Sequence, residues 1–167
     1  MINQALLLAF PMAMAFAAAN DLFTMRIPNK ISMLLVAAFA VTALLLRLPL
    51  DVALTHLGIG AAVLAAGFVL FSLRLLGGGD AKLMAAGALW MGSDQAVLYI
   101  AMISLFGGLL SLAFLAYRKF VPAISWGLPS WALRLHVAGS GIPYGIAIAA
   151  AGLALYPSTI LFHALQG

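Results

Sequence analysis

Six apolar runs, at about 2–19, 31–46, 52–73, 81–92, 96–117 and 142–163, take up most of this 167-residue chain and leave only short polar connections. Each run is a candidate transmembrane helix. Hydrophobic residues make up 66% of the chain and charged residues 7%, and the mean hydropathy is +1.18. A soluble domain could not cover its surface with so little polar material. The expected fold class is all-α: a polytopic membrane protein, a bundle of six transmembrane helices forming a single domain over residues 1–167, with no room for a separate soluble domain.

The fourth run is too short for a plain crossing. From Ala81 to Gly92 it covers about 18 Å at 1.5 Å per residue, against a hydrocarbon core of roughly 30 Å. A short or broken fourth helix is therefore expected, with either a locally thin bilayer or the Gly77-Gly78-Gly79 segment dipping inward. Non-helical backbone at that depth survives only where protein or a water-filled cavity surrounds it, so a polar cavity should surround Asp80.

Charge orients the bundle. Arg26 and Lys30 follow the first run, Arg74 and Lys82 flank the third connection, and Arg118, Lys119 and Arg134 follow the fifth, which puts seven of the eight basic residues on one side and leaves Arg47 opposite. Cytoplasmic loops are rich in Lys and Arg, so this side should be cytoplasmic, with both termini outside. Ala17-Ala18-Ala19 resembles a signal-peptide cleavage site, but Met1 to Gln4 carries no positive charge ahead of the run, and a membrane-retained first helix is the expectation. With no Cys there is no disulfide, no thiol nucleophile and no Cys-based zinc site.

Only four acidic residues occur, all Asp. Asp51 and Asp94 lie on the outer side in settings that suit helix caps. Asp80, after three glycines and before Ala81-Lys82-Leu83, also suits a cap. Asp21 ends the first run on the same face as Asp80, and the bent Arg26-Ile27-Pro28-Asn29-Lys30 connection follows it. If the first and fourth helices pack together, the two carboxyl groups meet. Such a pair in a low-dielectric cavity cannot both ionise easily and shares one proton. It is then equipped for peptide hydrolysis, one carboxylate taking a proton from water and the other polarising the scissile carbonyl. Serine chemistry is disfavoured, because Ser32, Ser72, Ser104 and Ser111 lie in apolar runs without a nucleophile elbow. His56, His136 and His163 have no metal-ligand spacing and read as interfacial or loop residues, and Gly77 to Lys82 lacks the Gly-Lys-Ser/Thr of a phosphate loop.

Asp21 with Ile27-Pro28-Asn29, then Gly77-Gly78-Gly79-Asp80-Ala81-Lys82-Leu83, then Gly141-Ile142-Pro143-Tyr144-Gly145, resemble the prepilin peptidases, intramembrane aspartic peptidases with a Gly-x-Gly-Asp signature. The resemblance covers nearly the whole chain. It implies Asp21 and Asp80 as the catalytic pair, supported by Gly77, Gly79, Lys82, Ile27, Pro28 and Asn29, in a prokaryotic cell membrane. It also implies no cofactor, no metal and no nucleic acid, and as partner a pilin precursor whose leader is cut at the cytoplasmic face, typically after a Gly preceding the pilin's hydrophobic helix. Longer members carry a paired-Cys insert and N-methylate the product. This chain lacks that insert and is similar to the short type serving tight-adherence (Flp) pili, for which methylation is not implied.

Outside these motifs, Phe120 to Val137, with Trp126 and Trp131, reads as an interfacial strip. Gly141 and Gly145 have small-xxx-small spacing with Pro143 at a helix start. Two other classes compete with the peptidase: a small transporter or proton-conducting protein using intramembrane Asp residues, and a non-catalytic assembly subunit. Both predict that no pilin-like protein changes mass in its presence.

Overall fold

The structure, a computed structural model, describes residues 2–120, 133, 135 and 141–166. Among these it is all-helical: α1 (Ile2–Thr24), α2 (Asn29–Leu45), α3 (Leu50–Ser72), α4 (Gly78–Phe120), α5 (Gly145–Leu155), a 3₁₀ turn at Tyr156–Ser158 and α6 (Ile160–Gln166). The interfacial strip expected from Phe120 to Val137 lies outside the described residues, apart from Phe120, Leu133 and Leu135; His136 lies outside them too.

Three of these helices are long and apolar enough to cross a membrane (Gln4–Thr24, Leu50–Ser72 and Gly78–Phe120), and Gly145–Ser158 with Ile160–Gln166, bent by 56°, would make a fourth. The protein is thus a polytopic membrane protein, but six separate spanning helices are more than these lengths deliver. The reasons are physical. Helix α2 has 17 residues, under the usual length for a full crossing. The fourth and fifth runs are joined in α4, whose 43 residues are interrupted by the non-helical Gly92. Large apolar side chains point outward all over the bundle, among them Leu44, Leu50, Phe68, Val97 and Leu112, as lipid-facing positions should.

At Gly92 the chain reverses. In a straight helix Gly87 and Tyr99 would lie about 18 Å apart. Instead a side chain placed on Gly87 would run into the Tyr99 ring, so the arms 78–91 and 93–120 lie against each other. The first arm is the centre of the molecule: Ala81 and every residue from Leu83 to Gly92 are buried. A helix apolar on all sides belongs inside protein rather than against lipid, which is how an arm of only about 21 Å is accommodated. Around it pack α2, α3 and α5, while α1 reaches it through side chains, Phe10 lying 5.4 Å from Trp90 between ring centroids. Trp90 Nε1 donates to the Leu35 carbonyl at 3.0 Å.

Helices α2 and α3 both end in Schellman motifs. The Leu48 N–H donates to Ala43 O at 3.0 Å, with Arg47 at φ 50°, and the Leu75 N–H donates to Leu70 O at 2.9 Å, with Arg74 at φ 60°. Arg in the left-handed region costs about 1–2 kcal/mol, partly offset by placing a cation at a helix C-terminus.

Two sequence expectations need correction at the end of the bundle away from Asp21 and Asp80. Asp51 sits in the first turn of α3 behind the Pro49 N-cap and makes no side-chain cap hydrogen bond. His56 is neither interfacial nor in a loop: it is buried within α3, its Nδ1 is 2.7 Å from Leu89 O, and its ring packs on Phe39. A carbonyl that needs a donor, deep in an apolar core, accounts for a polar ring there.

Candidate active site

Asp21 and Asp80 line one open cavity of about 740 Å³, together with Met25, Arg74, Gly77, Gly141 and Tyr144 among others. This end of the bundle also carries Arg26 and Arg74 in the connections and Lys30 and Lys82 near the starts of α2 and α4.

Asp21 lies in the last turn of α1 and is buried. Its Oδ2 accepts a hydrogen bond from the Gly145 N–H at 2.8 Å, a buried contact between residues far apart in sequence. Nothing in the side-chain pattern announces a backbone donor, so sequence reasoning missed Gly145 in this role. The small-xxx-small spacing of Gly141 and Gly145, which suits close packing or a cavity wall, has both uses here: Gly141 lines the cavity, Pro143 precedes the helix, Tyr144 occupies the N-cap, and Gly145 closely faces a carboxylate. A Cβ on Gly145 would lie 2.8 Å from Asp21 Oδ2 and 2.9 Å from Ile27 Cδ1. Gly145→Ala is therefore expected to push Asp21 aside and to lower any activity resting on it by about ten- to a hundredfold, since misplacement on the ångström scale costs that much. Turnover at matched membrane levels checks this.

The connection after Asp21 is built by its neighbour. Asn20 Nδ2 donates to Arg26 O at 2.6 Å and to Thr24 Oγ1 at 3.2 Å, closing the bend, and Pro28, at φ −62° and ψ 135°, then caps α2. The bend brings Ile27 against the glycine signature: a Cβ on Gly79 would lie 3.1 Å from Ile27 Cβ and 3.3 Å from Ile27 O. Asn29 reaches the same helix, its Oδ1 accepting from Lys82 Nζ at 2.9 Å. That bond is exposed, so Lys82→Met is expected to change thermal stability by no more than about 0.5 kcal/mol, read by unfolding in detergent.

Asp80 is not the residue that opens its helix. Helix α4 starts at Gly78, and the Ala81 N–H donates to Gly77 O at 3.0 Å, which makes Gly77 the N-cap. From the third helical position the Asp80 carboxylate accepts from the Gly77 N–H, as in one half of a capping box. The glycines thus form the cap and first turn rather than a non-helical dip. Capping and lining the cavity are compatible for one carboxylate, which has two oxygens and about four acceptor sites.

Asp94 and Asp51 line a separate small hollow with His56 and Gly92 at the other end of the bundle. Among the described residues no group of three or more His, Asp or Glu side chains is arranged to hold a metal ion.

Two carboxylates that line one cavity from different membrane helices are equipped for general acid–base chemistry. The chain belongs to the type IV leader peptidase family, which matches residues 8–112, well over half its length and including both Asp21 and Asp80. No curated protein and no solved structure gives a match.

Proposed function

We propose that this protein removes the leader from type IV or Flp-type pilin precursors at the cytoplasmic face of a prokaryotic cell membrane, with Asp21 and Asp80 activating water. The observation that carries the proposal is that both carboxylates line one open cavity, at the end of the bundle with most of the basic residues. The chemistry follows from a pair holding one proton. The ionised carboxylate takes a proton from water as its oxygen attacks the scissile carbonyl carbon, and the protonated one gives its proton to the carbonyl oxygen. As the tetrahedral diol collapses and the C–N bond breaks, the first carboxyl passes its proton to the leaving amine and the diol returns one to the second. Water is consumed, and neither a side-chain nucleophile nor a metal enters.

The family supports the peptidase reading, and the chain geometry is compatible with the six-pass topology. Counting the two arms of α4 separately, and α5 with the 3₁₀ turn and α6 as one bent span, gives six passes with both termini outside. The lack of Cys among these 167 residues supports the Flp-type assignment, without methylation of the product. The test is co-expression with a pilin precursor followed by mass spectrometry: the leader is expected to be lost only when this chain is present. A precursor of unchanged mass, across pilins of both types, would shift the reading to ion transport or assembly.

A further inference from the structure

Ser111 lies in the second arm of α4, far in sequence from both carboxylates, and its hydroxyl is 3.1 Å from the Tyr144 hydroxyl. Its own proton is already committed, because Ser111 Oγ donates to Gly107 O at 2.7 Å. A serine has one proton to give, so in this pair Tyr144 donates and Ser111 accepts. Gly107 completes the seat: a Cβ there would lie 2.9 Å from Tyr144 Cε1, so the ring lies against bare backbone. Tyr144 is thereby held at ring and hydroxyl while it lines the cavity shared by Asp21 and Asp80.

The residue after Tyr144 is Gly145, whose N–H holds Asp21. The Tyr144–Gly145 peptide unit carries that N–H at one end. At its other end the Tyr144 carbonyl accepts from the Ile148 N–H at 3.0 Å and so begins α5. Pro143, just before, is fully buried. A peptide plane fixed by a buried proline, a helix start and an anchored aromatic ring has little freedom to swing its N–H away from the carboxylate.

We infer that Ser111 and Tyr144 are a positioning pair that fixes the Gly145 N–H on Asp21, and through it the geometry of the two carboxylates. This rests on the peptidase reading of Asp21. The pair acts through the backbone and need not touch substrate, so its loss should lower turnover while leaving substrate binding unchanged.

The test uses the full chain in detergent, with a pilin-precursor peptide as substrate and kcat and KM measured separately. Tyr144→Phe removes only the donor and leaves Ser111 bonded to Gly107 O; Ser111→Ala removes the acceptor. Each is expected to lower kcat by about tenfold with KM unchanged. The double variant should be no worse than either single one, because the two act as a unit. Ser111→Thr keeps a hydroxyl and should restore kcat, and the ¹⁵N–¹H resonance of Gly145 should shift in both single variants. Unchanged kcat in the single variants, effects that multiply in the double, a loss carried by KM, or an unmoved Gly145 resonance would each overturn the pairing. Asp21→Asn in the same assay separates the two layers. If it still turns over, the peptidase reading of Asp21 falls; if it is inactive while Tyr144→Phe is fully active, only the positioning role falls.

Discussion

Asp21→Asn and Asp80→Asn are each expected to reduce cleavage of a pilin precursor by about a thousandfold or more, to background, while the protein still accumulates in the membrane. The size follows from the roles: acid–base assistance by one positioned group is worth about 10² to 10⁴, and the proposed cycle uses each carboxyl twice. Retained folding follows from the contacts. An amide in place of the Asp21 carboxylate keeps an oxygen that can accept the Gly145 N–H, and an amide in place of the Asp80 carboxylate keeps one for the Gly77 N–H. Asp21→Ala would instead strand a buried N–H at a cost of about 1–3 kcal/mol and confuse lost chemistry with lost structure. Because the two carboxyls act as one unit, the double variant should be no worse than either single one. Asp51→Asn and Asp94→Asn, in the hollow around His56, should cleave normally. Mass spectrometry of the precursor at matched membrane levels reads all five, and cleavage that survives either Asp21→Asn or Asp80→Asn would remove the proposed mechanism.

The parts of this site that were legible in the sequence are those carried by side chains. A carboxylate in an apolar run is expensive, so two of them at one end of a bundle point to each other before any coordinates exist. Pro28 marks the start of α2 because proline cannot continue a preceding helix and is preset for opening the next. What was not legible runs through the backbone or through bare space. The Gly145 N–H leaves no trace in composition, and the glycines at 79 and 145 show their purpose only when Ile27 and Asp21 are seen against them. The Asn20 amide, which closes the bend after α1 by bonding Arg26 O, likewise leaves no signal that names its partner.

The fold divides the same way. Apolar runs located the helices α1 to α6, because lipid-facing and core-facing positions are both apolar and a membrane helix needs no amphipathic pattern to be seen. That uniformity also hides which helix is central. Residues 83–91 are buried on all sides, yet α3, mostly facing lipid, is just as apolar in sequence. The start of α4 was misplaced because Gly is a poor helix former in a helix interior. In the first turn that penalty is set against close approach to Phe71 and Ile27, which only a glycine permits.

Gly92→Val is expected to unfold the bundle more readily than any other single change outside the site. Gly92 has φ 63° and ψ −170°, a region open essentially to glycine alone. A β-branched residue forced there costs roughly 1–3 kcal/mol in backbone strain. The side chain has nowhere to go either: its Cβ would lie 2.6 Å from His56 Cε1 and 2.7 Å from Nε2. That ring cannot easily step aside, held as it is by Leu89 O and packed on Phe39. The variant must open the reversal between the arms of α4, and with it the packing of Tyr99 against Gly87 that keeps the central arm enclosed. A fall of about 5–10 °C in thermal midpoint is expected in detergent, from the usual relation between midpoint and stability at this chain length. Gly108→Ala is the control, since a Cβ there meets nothing within 4 Å and alanine favours the helix; it should melt at or slightly above the unaltered chain. Equal midpoints for Gly92→Val and Gly108→Ala would mean that the chain does not reverse at Gly92, and the enclosed position of the Asp80 helix would have to be abandoned with it.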